Sequence, residues 1–222
     1  MSRHLDTVIW DFNGTLIDDV GPVVRSVNAQ LEKRSLPLLS LERYREVFGF
    51  PVADYYRTIG LDPDAETIDS LSDEFHTTYV PMLMDCPLHN GVVEALQTFR
   101  DAGARQFVLS AMEETALRAV IDRLGVAGFF DAVYGLAHLN ADSKLSRGRE
   151  LLRDHGIDPE RSVLIGDTDH DAQVAEALGL AVVLVAGGHQ SEARLRSTGH
   201  RVLPSADAID AGILEAAIRS AE

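Results

Sequence analysis

Residues Thr7 to Leu16 read Thr-Val-Ile-Trp-Asp-Phe-Asn-Gly-Thr-Leu. A short apolar run that stops at a carboxylate and then at a glycine turn predicts a buried parallel strand leading into a loop. In open α/β sheets, ligands bind outside the carboxyl ends of such strands. Asp11 is therefore expected to do chemistry, as a metal ligand, a nucleophile or both, rather than to serve as a turn or cap residue. Asn13 stands where a second carboxylate is the ordinary partner for acid–base work.

Further strands are expected at Phe107–Leu109, Asp131–Tyr134, Ser162–Ile165, Ala181–Val185 and Arg201–Leu203. Helical spacing fills Val92–Asp101, Glu113–Leu124, Ser146–His155, Ala172–Leu178 and Ala206–Ile218. This alternation implies βαβ units, and so an α/β fold with a Rossmann-like, doubly wound parallel sheet. The stretch from Val20 to Asp85 reads differently. It has helical periodicity at Val20–Leu31, Leu41–Phe48 and Ile68–Val80, punctuated by Pro37, Pro51, Pro63 and Pro81, and no strand. The expected organisation is a core of residues 1–18 and 87–222 with an all-helical cap of residues 19–86 inserted after the first strand.

Four polar elements fall at or just after strand ends: Asp11 to Thr15, Ser110, Lys144, and Gly166-Asp167-Thr168-Asp169-His170-Asp171. A parallel sheet brings such ends to one edge, so Asp11, Asp167 and Asp171 are expected to meet, with Lys144 and Ser110 beside them. Three converging carboxylates repel unless a cation neutralises them, and hard oxygen donors suit Mg²⁺. Lys144 adds a point charge for an anionic substrate, while Ser110 and the backbone at Ala111 offer polar groups to its oxygens. Asp11 is then placed to attack phosphorus in line and form an aspartyl-phosphate.

These four elements, in order and at these separations, resemble the motifs of the haloacid dehalogenase superfamily in its phosphatase branch, and the likeness covers nearly the whole chain. It implies Asp11 as nucleophile, Asp167 and Asp171 as metal-shell carboxylates with the backbone carbonyl of Asn13, and Ser110 and Lys144 as phosphate-binding residues. The overall pattern and cap type resemble phosphoglycolate phosphatases, which implies a Mg²⁺-dependent phosphatase acting on a small phosphorylated metabolite. The segment Arg45 to Pro51 resembles the family's substrate-specificity loop, making Arg45 a substrate contact and Phe50 a shield against water. The departure is Asn13, an aspartate in the family's phosphatases that protonates the leaving group and later activates water. An amide does neither, so metal binding is expected to persist and turnover to be lowered.

Three competing readings remain. A metal-independent 2-haloacid dehalogenase lacks the acid at the Asn13 position but also lacks the Asp167–Asp171 pair. Phosphonate hydrolysis needs a cap lysine, and the one available, Lys33, reads as solvated between Glu32 and Arg34. A catalytically weak protein that binds phosphorylated ligands rests on Asn13 alone. His189 is expected in a surface loop, and Asp169 and His170 as spacers. The formal charge of -15 disfavours nucleic acid. One cysteine, Cys86, excludes an internal disulfide and suits a reducing, cytoplasmic setting. No apolar run reaches the roughly 18 residues of a membrane span, and a monomer or homodimer is expected.

Overall fold

The computed structural model describes residues 4–137 and 143–220. The strands are β1 (Thr7–Trp10), β2 (Arg105–Glu113), β3 (Ala132–Leu136), β4 (Ser162–Gly166), β5 (Ala181–Val185) and β6 (Arg201–Leu203). They form one six-stranded sheet in the order β3-β2-β1-β4-β5-β6, with every pair parallel. The chain builds outward from β1 to β3, then returns to lay β4 on the other side of β1. That reversal is the topological switch point of a doubly wound sheet, and it sits at Asp11.

The sheet is buried on both faces, as parallel sheets are, and its side chains alternate between two cores. Val8, Trp10, Val163 and Ile165 join one cluster. Ile9, Leu164, Phe107 and Leu109 join the other. On the second face pack α7 (Lys144–His155) and α8 (Asp169–Leu178), which supply Leu151, Ala172 and Ala175. The first face is covered by α5 (Val92–Asp101), α6 (Glu114–Leu124) and α10 (Ala211–Ser220), through residues such as Leu96, Phe99, Leu117 and Leu214. A short α9 (Glu192–Ser197) follows β5.

Between β1 and α5 lie four helices: α1 (Val20–Lys33), α2 (Leu41–Val47), α3 (Val52–Ile59) and α4 (Ile68–Leu83). We propose that they form the cap. Their apolar faces, including Val27, Leu31, Tyr44, Leu71 and Leu83, continue the first core cluster without a break. Helix α3 is absent from the elements expected above, although Val52, Tyr55, Tyr56 and Ile59 recur at i, i+3, i+4 and i+7 and Gly60 closes the helix in the left-handed region. Helix α4 runs through Pro81 instead of ending before it. Proline removes only one N–H so near a helix end, and the buried Tyr79 and Leu83 hold the last turns against the core. Ser110, expected just past the end of its strand, lies inside a longer β2 whose register shifts between Leu109 and Glu113. The terminal helix begins at Ala211, after a 3-10 turn at Ala206–Ala208.

Candidate active site

Asp11 follows β1 directly, and Asp167 follows β4, the adjacent strand. Asp171 lies in the first turn of α8, where its side chain completes a reciprocal capping box with Thr168. Lys144 opens α7, held in place by the Ser143–Ser146 capping box. One carboxylate oxygen from each of Asp11, Asp167 and Asp171 lies within 4.8 Å of the others, and all three residues are buried. The Lys144 ammonium donates to Asp11 Oδ1 and, at 2.5 Å, to Asp171 Oδ1. Asp167 accepts from Thr15 Oγ1 at 3.0 Å and from the His189 N–H at 2.6 Å. Glycine is required around this cluster. Gly14 has φ +73°, and a Cβ there or at Gly188 would collide with the Asp167 carboxylate.

Three carboxylates face one ammonium. Burial pushes Asp11 up to about 8 against the pull of Lys144, with Asp171 and Asp167 adding to the rise. Burial likewise raises Asp167 to about 6. Burial opposes a charged Lys144, but the attraction of Asp11 and Asp171 outweighs it and holds the ammonium protonated. Such a cluster has surplus negative charge and only hard oxygen donors, so its donor set fits a divalent cation such as Mg²⁺.

Asn13 is fastened on the cap side. Its Nδ2 donates to Asp19 Oδ2 and to the Tyr79 hydroxyl oxygen, both at 2.9 Å. Tyr79 donates to the same Asp19 oxygen at 2.5 Å, and the Gly14 N–H reaches Asp19 Oδ1 at 2.9 Å. His189 Nε2 stands 3.3 Å from Asp19 Oδ1, and its Nδ1 lies 2.9 Å from the Tyr44 hydroxyl. Burial works against a charged His189, but Asp19, with Asp167 and Asp11 behind it, pushes the imidazole up to about 9. Burial also opposes ionised Asp19; His189, Tyr79 and Asn13 together bring it below its ordinary value. Ser110 Oγ lies 3.5 Å from Asn13 Oδ1 and accepts from the Met112 N–H at 3.1 Å. Ser110 and Ala111 both line the cavity above the carboxylates.

Two expectations need correction. His189 is not in an exposed loop: it is 5% exposed, between Asp19 and the cap residue Tyr44. Arg45 is not placed as a substrate contact. Its guanidinium donates to the carbonyls of Gly187 and Gly188, pinning α2 to the loop after β5, and it does not line the cavity. The buried Asp19, Tyr79 and Tyr44 are not among the residues the sequence singles out. The one signal for Asp19 was an acidic pair, Asp18-Asp19, at the start of a helix, which by itself reads as an ordinary helix cap. His170, read as a spacer, packs its ring 4.6 Å from that of Phe50, and Asp169 pairs with Arg194 at 2.7 Å.

Above the carboxylates is a cavity of about 250 Å³. Its floor is Asp11, Lys144, Asp167 and Asp171, and its roof comes from the cap, including Val23, Val27, Phe48, Phe50 and Phe75.

This fold and site define a class. The sequence profile of the family described as haloacid dehalogenase-like hydrolase matches residues 8–185. The chain belongs to that family. It is 31% identical over 195 residues to a phosphoglycolate phosphatase of Caulobacter vibrioides, covering 84% of this chain and 81% of that one. It is 27% identical over 210 residues to the tyrosine-protein kinase PtkA of Mycobacterium tuberculosis, covering 91% and 69%. The crystal structure of a predicted phosphatase from Clostridium acetobutylicum superposes with a TM-score of 0.80 at 22% identity, covering 96% of this chain and 99% of that one. Within the family the chain is a phosphatase of phosphoglycolate phosphatase-like type. No helix among the described residues is long and apolar enough to cross a membrane.

Proposed function

We propose that this chain is a Mg²⁺-dependent phosphatase in which Asp11 attacks the phosphorus of a small phosphomonoester. The observation that carries this reading is the convergence of Asp11, Asp167 and Asp171 within 4.8 Å at the sheet's switch point, with Lys144 bridging two of them. Asp11, Asp167, Asp171 and the backbone carbonyl of Asn13 would hold the metal, which supplies charge neutralisation for the phosphoryl oxygens. Lys144 orients Asp11, pulls its carboxyl towards the ionised form against burial and adds positive charge for the incoming phosphate. Ser110 offers its hydroxyl to a phosphoryl oxygen. The cap roof excludes bulk water from the phosphorus. Asp11 then forms the aspartyl-phosphate, and water hydrolyses it. Asn13 supplies no proton, so the leaving oxygen takes one from solvent. Phosphoglycolate, the substrate in the name of the Caulobacter relative, belongs in the first panel of small esters.

The test is hydrolysis of p-nitrophenyl phosphate with Mg²⁺ and with chelator, by the native chain and by Asp11→Asn. Turnover that requires Mg²⁺ and disappears in Asp11→Asn is expected. Turnover indifferent to chelator, or retained in the variant, overturns the reading. A second readout needs no turnover. Because Asp11 and Asp167 are raised to about 8 and about 6, Mg²⁺ must displace protons, and its thermal stabilisation of the fold should grow as pH rises from about 6 to 8.

A further inference from the structure

We propose that the substrate of this site is the phosphate ester of an aromatic alcohol, with its phosphoryl group on the carboxylate floor and its ring in the cap roof. This rests on the phosphatase reading above and goes on to the leaving group, which that reading leaves open.

The roof is apolar where a small anionic substrate would need a cation. Val23, Val27, Val52, Phe48, Phe50 and Phe75 face the cavity, and among the described residues no arginine lines it. Lys144, its one lysine among them, is already engaged by Asp11 and Asp171. The arginines where cap meets core are committed elsewhere, Arg45 to the Gly187 and Gly188 carbonyls and Arg194 to Asp169 and the Phe48 carbonyl. His189 is matched by Asp19 at 3.3 Å, His170 lies ring against ring with Phe50 at 4.6 Å, and His76, at the exposed rim, has its Nδ1 on the Ser72 carbonyl at 2.7 Å. A carboxylate or second phosphate on the leaving group would enter this roof without a counter-charge, which is costly. An aromatic ring meets edges and faces of its own kind. The roof already packs that way, with Phe48 edge-on to Phe50 at 5.6 Å and to Tyr55 at 5.3 Å. The space fits one ring and a phosphoryl group, since a cavity of about 150 Å³ holds benzene and this one is about 250 Å³.

Asn13 points the same way by separate chemistry. Its amide has no proton to give a leaving oxygen, and its NH₂ is spent on Asp19 and Tyr79. A phenol ionises near about 10, far below an aliphatic alcohol, so a phenolate departs without a general acid. Asp11 forms its bond to phosphorus as the P–O(aryl) bond breaks. The electron pair leaves on the phenolate, which takes a proton from solvent, and water then returns Asp11 and inorganic phosphate. Tyr55 adds a third observation. It lines the cavity, is buried, and its hydroxyl has no hydrogen-bond partner; a neutral polar ring substituent is the kind of partner it lacks.

The experiment compares kcat/KM for phenyl phosphate, phosphoglycolate and acetyl phosphate with Mg²⁺, using the full chain. Acetyl phosphate has a good leaving group and no ring, so it reports the floor alone. Phenyl phosphate is expected to exceed phosphoglycolate by about 100-fold or more. Equal or better use of phosphoglycolate overturns the inference. If acetyl phosphate is also untouched, the phosphatase reading has failed, and calorimetry with phenylphosphonate and phosphonoacetate decides the seat independently. Tighter phenylphosphonate supports the ring seat; tighter phosphonoacetate overturns it. Val52→Arg, at a half-buried roof position, should shift the phenyl-to-glycolate ratio at least about 10-fold towards phosphoglycolate. An unchanged ratio counts against the roof as the place where the ring sits.

Discussion

On the floor of the cavity, Asp11, Asp167, Asp171 and Lys144 are buried ionisable groups, with Lys144 bonded to Asp11 and Asp171 and Asp167 held by Thr15 and the His189 N–H. Across the cavity, the roof is mostly valines, phenylalanines and tyrosines from the four cap helices and the loop that carries Phe48 and Phe50. The floor is built by strand ends, whose positions follow from sheet register, so each residue arrives with little freedom. The roof is built by packing among short helices and loops, so its identity is carried by shape and polarity. In the proposed reaction, geometry below places the chemistry and burial above sets the selectivity.

The comparison breaks most sharply at Asp11. If Asp11 is the nucleophile proposed above, Asp11→Asn should lower kcat by about 10⁴-fold or more, while the roof still binds phenylphosphonate in calorimetry. Binding lost along with turnover would mean that floor and roof are not separable. Next is Lys144→Met. It leaves Asp11 and Asp171 without their shared counter-charge, and removing one partner of a buried pair costs about 3–5 kcal/mol. Urea unfolding without metal should show that loss, and added Mg²⁺ should recover part of it.

The seam between floor and roof is tested by pH. His189 is raised to about 9 in the fold, against about 6.5 unfolded. Its stabilisation is complete below about pH 6.5 and is lost as pH rises through 9, by at most about 3 kcal/mol. Metal-free Asp11, raised to about 8, lowers stability with rising pH in the same direction between about pH 4 and 8. Asp19→Asn should flatten the alkaline part of the curve in thermal melts; an unchanged slope would remove His189 as its source. The smallest effect is expected at Asn13. Its NH₂ lies 2.9 Å from Asp19, so Asn13→Asp sets a carboxylate against a buried carboxylate and should cost about 1–3 kcal/mol. The double change Asn13→Asp with Asp19→Asn should recover stability and raise turnover of alkyl phosphates above that of the native chain. If the single change alone is as stable and as active, Asp19 does not govern this position.

Legibility follows the same division. The strands β5 and β6 and helix α5 have the expected ends, because an apolar run between turn residues leaves few choices. Asp11, Ser110, Lys144, Asp167 and Asp171 could be singled out because each sits at or near a strand end and the sheet supplies the third dimension. Asp19, Tyr79, Tyr44 and His189 are far apart in sequence and meet only because the cap folds back over the first loop. No local spacing encodes that meeting. His189, following Gly187-Gly188, has the composition of an exposed turn, and only the tertiary fold buries it. Arg45 reads from the sequence as a substrate contact in a loop resembling the family's specificity loop; the carbonyls that claim it come from the loop after β5, which local sequence cannot place. Helix α3 carried a readable period over eight residues, a length at which helix and loop compete closely.

The join between α2 and the loop after β5 bears on timing as well as position. Arg45 donates to Gly187 and Gly188, the Ser191 N–H to the Arg45 carbonyl at 3.1 Å, and Gln190 Nε2 to the Phe48 carbonyl at 3.2 Å. Lifting the cap as a rigid plate breaks all of these together. Swinging it about this fastened edge would break none, so the edge would serve as a hinge pin with the mouth widening away from it. In the proposed reaction, departure of the alcohol would be paced by this pivot, and a well-fitting leaving group would move the slow event from bond breaking to escape.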